Sequence, residues 1–188
     1  MINQSEVSVM ENAITIVVYD QSWPEAFQAE KKALISSLGT EAAAIEHVGS
    51  TAIPGQASKP VIDIFVGVTQ LQPIAYYESR FDPVSYSHIQ TGMQGRYLFA
   101  KHTEGRWTHN VHLMKHDELF HTRNEILLRD YLRSHPELVE QYGEIKRKAA
   151  RNANSMEAYT REKTAFIQMV VDAARTELGL PLQNVWED

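Results

Sequence analysis

The sequence predicts an α/β core whose C-terminal third is helical. Three observations carry this. Short β-branched runs recur through the first two thirds of the chain. The segment Val61–Val68 (VIDIFVGV) is almost continuously apolar, as a strand covered on both faces must be. From Asp117 onward the apolar residues return at helical spacing. At 188 residues the chain is close to the usual size of one domain, and no repeat, low-complexity tract or linker divides it. We therefore take 1–188 as a single domain, with a flexible polar tail over 1–12 and a helical cap over 117–178.

The elements follow in order. Ile14–Val18 (ITIVV) reads as a short strand. Ser22 then caps a helix, with Pro24 in the first turn, where a missing N–H costs nothing, and Glu25 completing a capping box. Phe27, Ala33, Leu34 and Leu38 recur at helical spacing, and Gly39 ends the helix. Ala43–Val48 is a strand that runs into the turn Gly49-Ser50-Thr51. Pro54, Gly55 and Pro60 make the next stretch irregular, before the apolar strand 61–68. A short helix is expected over 70–79. The stretch 81–95 is loop-rich, with Pro83, Gly92 and Gly95. Arg96–Lys101 and Asn110–Lys115 read as antiparallel strands joined by a turn at Glu104-Gly105. In the cap, Leu119, Ile126, Leu127 and Tyr131 share one helical face. Pro136 opens a second helix. A third, from Ser155 to Leu178, carries Tyr159, Phe166, Val170 and Ala174.

Composition narrows the function. The chain has no Cys, which excludes disulfides, thiolate metal sites and a Cys nucleophile, and fits a reducing compartment. A formal net charge of -6 argues against broad nucleic-acid binding, which needs a basic face. The start MINQSEVSVMENA lacks the basic and apolar regions of a signal peptide, and no apolar run approaches the roughly 20 residues of a membrane span. The cytoplasm is the expected location.

The chemistry concentrates in Ile45–Val68. Gly49 permits a positive φ and a close approach of main-chain amides to a ligand, and Ser50 and Thr51 add hydroxyls, so the turn suits an anion. Lys59 is a natural neighbour for such a guest. Asp63 is one carboxylate in an apolar strand, expensive unless paired, hydrogen-bonded or bound to metal. His47 and His112 each lie in a strand. If those strands flank that of Asp63, the three side chains could hold a divalent ion such as Zn, Mn or Fe(II). His109 and His112 fall on opposite faces of their strand. Among the cations, Arg96 at a strand start is the ligand candidate. Arg129, Arg133, Lys146 and Arg147 read as a solvated helical face laced with salt bridges.

The block EHVGSTAIPG…KPVIDIFVGV, together with WPEAFQAEK, RYLF, NVHLM and LLRDYLRSHPELVEQYGEIKRKAA, resembles the GrpB-like family from about Ile14 to Ile167. That resemblance implies the nucleotidyltransferase fold: a mixed sheet with flanking helices, a Gly-Ser turn that holds a triphosphate, an Asp-x-Asp pair and a third acid that hold two Mg²⁺. Gly49 and Ser50 match the turn, and Asp63 the second acid. Val61 stands at the first acid, and His112 on the strand of the third. A similar domain fused to dephospho-CoA kinase in other proteins hints at nucleotide or coenzyme A metabolism. The resulting expectation is transfer of a nucleotidyl group from an NTP to a small acceptor. In it Asp63 and His112 are catalytic. Gly49, Ser50, Thr51, Lys59 and Arg96 bind substrate, and Asp63, His47 and His112 bind a divalent metal (Mg, Mn or Zn). The alternatives are a non-catalytic nucleotide- or coenzyme A-binding protein and a metal-dependent hydrolase. The C-terminal helices could cover the pocket or form a homodimer face, to which Trp186 in a polar tail points.

Overall fold

The computed structural model describes residues 14–185. The tail expected over 1–12 and Trp186 lie outside them.

A five-stranded mixed sheet runs in the order β1-β2-β5-β4-β3. The strands are β1 Ala42–Val48, β2 Ile62–Val68, β3 Tyr86–Ile89, β4 Arg96–Thr103 and β5 Arg106–Lys115. β2 pairs antiparallel with β1 and parallel with β5, which places the apolar strand inside the sheet. Both of its faces are covered, so continuous apolarity is what its position demands. One face packs on α1 (Trp23–Leu38) through Trp23, Phe27, Leu34 and Leu38 against Ile45, Ile64, Val66, Val111 and Leu113. The other face meets the cap, where Phe65, Val48 and Met114 pack on Phe120 and Ile126. The cap helices are α3 (Asn124–Ser134), α4 (Pro136–Asn152) and α5 (Met156–Glu177), α2 being the short Ile74–Glu78. Their own core of Leu132, Val139, Tyr142, Phe166 and Val170 encloses Ile53 from the loop after β1. No helix among the described residues is long and apolar enough to cross a membrane.

Local chemistry explains most boundaries. Gly39 ends α1 at φ 60°, and the β4–β5 hairpin turns at Glu104 and Gly105, both with positive φ, as tight hairpins require. Ser155 caps α5 by accepting from the Ala158 amide at 3.1 Å.

Three local expectations are corrected. Ile14–Val18 forms no strand: only Val17 pairs, in an isolated bridge to Ser58, and Val18 is exposed. Ser22 makes no side-chain cap on α1, because its hydroxyl donates to Asp20 at 2.7 Å instead. The stretch 81–95 holds an edge strand, β3, whose Tyr86 stacks on Phe81 and whose His88 meets Phe99 at a tilt. Its Tyr-Ser-His-Ile pattern gives a weak period-2 signal between Pro83 and Gly92.

The helical face expected to be solvated is in part buried. Arg129 is 7% exposed. It pairs with Glu46 of β1 at 2.7 Å, with Asp130, and donates to the His47 carbonyl at 2.8 Å. Arg133, one turn on, donates twice to the Ala52 carbonyl, at 2.9 and 2.7 Å. Two arginines of α3 thus grip the main chain on either side of Gly49–Thr51, and the cap fixes the turn.

Candidate functional site

Sheet register decides which of the expected side chains meet. Val48 of β1 stands opposite Asp63, and Asn110 of β5 stands opposite Asp63 on the other side. Directly opposed residues project to the same face. Asp63, Asn110 and His112 therefore face the cap. His47 pairs with Ile64, one step out of phase, and faces α1. There it stacks on Phe27 at 4.8 Å and its Nε2 meets the Thr51 hydroxyl at 2.9 Å. β1 and β5 do flank β2, but the period of two sends His47 to the wrong side for a triad with Asp63. The opposite-face reading of His109 and His112 agrees with the register, since His109 stands beside Ile62.

The site centres on Asp63 and the turn above it. Gly49 adopts φ 70°, ψ -173°. A Cβ there would collide with the Asp63 carboxylate, whose Cβ and Cγ would lie 3.1 Å away. The glycine is thus required twice, by its backbone angles and by the carboxylate lodged against it. Ser50–Ala52 forms one 3-10 turn, in which Ala52 and Ile53 donate to the carbonyls of Gly49 and Ser50. The amides that precede them in such a turn find no acceptor within it. Asp63 Oδ1 accepts from Asn110 Nδ2 at 2.8 Å, and Asn110 Oδ1 accepts from Trp107 Nε1 at 3.1 Å, which fixes the amide's orientation.

Cations surround this carboxylate. Burial lifts the Asp63 carboxyl above the usual carboxylate range, while the Asn110 hydrogen bond and then Lys59, Lys163 and Arg96 pull it back. Lys59, from the loop before β2, is drawn below the usual lysine range by burial, against the pull of Asp63. Its Nζ lies 5.3 Å from the Trp107 ring and 5.8 Å from that of Tyr159. Lys163 of α5 sits 4.0 Å from the Tyr159 ring. Burial first, and Lys59 second, push it down to about 8, with Asp63 opposing. From α4, Tyr142 packs with Ile53 beside the turn, and Lys146 lies 4.3 Å from the Tyr142 ring. Lys146 is 2% exposed, and its Nζ has no hydrogen-bond partner among the described residues. The cap thus closes over the turn with amines and phenols.

Of the expected site residues, Gly49, Ser50, Lys59 and Asp63 come together. Thr51 does not, since it is fully buried and its hydroxyl turns inward to His47. Arg96 is committed elsewhere: it pairs with Glu125 at 2.7 Å, donates to His112 Nδ1 at 3.1 Å and lies over the Phe65 ring. His112 is thereby tied down, and burial and the Arg96 charge hold its imidazole well below the usual histidine range. His47 is likewise pushed down to about 4, by burial and then by Arg133 and Arg129. Among the described residues no three His, Asp or Glu side chains are placed to hold a metal ion.

Tyr142 and Lys163 were not singled out from the sequence, Tyr159 was expected only as a packing residue of its helix, and the solvated reading of Lys146 is overturned by its burial, although a signal for all four exists. Val139, Tyr142, Gly143, Lys146 and Ala149 are the buried residues of α4. Tyr159, Lys163, Phe166 and Val170 repeat the same spacing on α5. Each lysine interrupts an otherwise apolar stripe, where a solvated lysine would stand off it.

The comparisons agree with this architecture. The family model described as "GrpB protein" matches residues 13–173. The chain is 32% identical over 164 residues to the "UPF0157 protein YqkA" of Bacillus subtilis, covering 86% of this chain but 47% of that protein, so it spans about half of YqkA's length. It is 29% identical over 172 residues to the "Glutamate-rich protein GrpB" of Alkalihalophilus pseudofirmus, covering 88% of this chain and 98% of that one. Among solved structures, the crystal structure of conserved protein GrpB from Enterococcus faecalis superposes with a TM-score of 0.79 at 29% identity, covering 88% of this chain and 99% of that chain. The chain belongs to the GrpB family.

Proposed function

We propose that the chain binds a phosphate-bearing, nucleotide-like anion between the Gly49–Thr51 turn and helices α4 and α5. The observation that carries this is the convergence of Lys59 and Lys163 on Asp63, with Lys146 behind them. Half-buried and buried amines, of which Lys59 depresses the charge of Lys163 and Lys163 that of Lys146, are costly by themselves and become favourable around an anion. Trp107 is 40% exposed beside Lys59 and supplies a plane on which a base could stack. The nucleotide-like part of the proposal rests on that plane and on the resemblance of the Gly49-Ser50 turn to a triphosphate-binding one.

Binding is the reading the geometry supports over nucleotidyl transfer. The two-Mg²⁺ arrangement needs several anionic oxygen ligands. Val61, at the first acid position, is a buried apolar residue. His112 is held by Arg96, and Asp63 already faces Asn110, Lys59 and Lys163. These residues do not fit the metal pair.

The test is calorimetric titration of the full chain with ATP, coenzyme A and pyrophosphate. Lys59→Ala and Lys163→Ala are each expected to weaken binding about tenfold or more, the typical worth of a charge-assisted contact. Labelled ATP incubated with Mg²⁺, Mn²⁺ or Zn²⁺ should be bound without release of pyrophosphate. Release that disappears in Asp63→Ala would reinstate the transfer reading. Failure of all three ligands to bind would remove the proposal.

A further inference from the structure

Resting on the anion-binding reading, we propose that Lys146 is the innermost contact for the ligand's phosphate and that it takes up a proton as the anion enters. The geometry has three parts. Lys146 is 2% exposed, yet among the described residues its Nζ finds no acceptor. A buried polar group without a partner is rare and calls for one. Its place is next to the site: it lies over the ring of Tyr142, which packs in one cluster with Ile53, the residue that follows the Ser50–Ala52 turn. It also ends a row of amines: Lys59 and Lys163 both lie over the Tyr159 ring, and the Lys163 charge in turn acts on Lys146.

The two charges that act on Lys146 are both positive. From α5, Lys163 opposes its protonation, and on its own helix so does Arg147, which itself pairs with Glu140. Tyr142 and Tyr159 present phenols that burial keeps protonated. Asp63 of β2 offsets Lys59 and Lys163 but is not among the groups that act on Lys146. Burial and these neighbours push the amine down to about 6, so at neutral pH it is mostly uncharged. A phosphate oxygen arriving beside it reverses the balance. The lone pair on Nζ accepts a proton from solvent, and the resulting ammonium donates to the phosphate. No covalent bond is made or broken in the ligand.

Proton uptake makes affinity fall as pH rises. Each proton bound with the ligand lowers the association constant about tenfold per pH unit over the range where the free amine is neutral and the bound one charged. The probe is inorganic pyrophosphate, titrated into the wild-type full chain and into Lys146→Met at pH values from 6.5 to 8. Pyrophosphate titrates too, but the ratio of the two association constants removes its contribution. The ratio is expected to favour wild type at pH 6.5 and to fall about tenfold per unit toward pH 8. Met fills the same apolar stripe, and circular dichroism confirms the fold; Lys146→Gln repeats the measurement if Met misfolds. A ratio that stays constant with pH, or one near unity throughout, overturns this inference. If wild type binds and Lys59→Ala still weakens it, the anion site survives that result. If wild type does not bind pyrophosphate at pH 6.5, this inference falls, and the anion site falls with it if ATP and coenzyme A also fail to bind.

Discussion

Gly49→Ala is expected to lower unfolding stability by about 3 kcal/mol or more, combining backbone strain at a glycine-only conformation with overpacking of a filled site. At φ 70°, ψ -173° a side chain is strained even in open space. Here the space is not open, because the new methyl would meet the Asp63 carboxylate. Urea denaturation measures the loss. The two causes separate in a double-mutant cycle. Asp63→Ala removes the carboxylate but leaves the backbone angle, so the pair should show a coupling of about 1–2 kcal/mol, within the range for contacting residues. Strict additivity would mean that the carboxylate does not lie against the turn. Pyrophosphate binding should fall in Gly49→Ala even where the protein remains folded, since the same displacement moves the amides at 50 and 51.

Arg129→Ala comes second, with an expected loss of about 3 kcal/mol, the lower end for breaking a buried ion pair because Glu46 is partly solvated. The arginine is almost inaccessible and serves two carboxylates and the His47 carbonyl at once. Its removal leaves that carbonyl with one partner fewer and a cavity between α3 and β1. Arg133→Ala should cost less, as that side chain is 42% exposed, although Ala52 loses both of its donors. The two variants therefore separate the stability of the cap from the shape of the turn. Thermal denaturation reports the first, and pyrophosphate affinity the second.

These effects show what the sequence carries and what it leaves to packing. The strand, turn and strand from Ala42 to Val68 could be read directly, because glycine, proline and apolarity act locally. So could the cap helices, whose starts at Pro136 and Ser155 are set by residues within a turn of them. The face on which His47 lies could not be read. It depends on the antiparallel register of β1 on β2, a non-local quantity that a shift of one residue would invert. Arg96 looked available because its partners, His112 and Glu125, are 16 and 29 residues away. The lysines of the cap were hidden for a different reason. In the run EIKRKAARN one amine is buried and its neighbours are not, and only the stripe through Val139, Tyr142 and Ala149 tells Lys146 from Lys148.

The central claim is that the Gly49–Thr51 amides and the cap lysines receive one anion. Its most direct measurement is the amide spectrum of the ¹⁵N-labelled chain during a pyrophosphate titration. Saturable shifts are expected at Gly49, Ser50 and Thr51, sharing one dissociation constant and lost in Lys163→Ala. Silent amides at all three positions, with shifts confined to exposed basic residues such as Lys148 and Arg151, would contradict it.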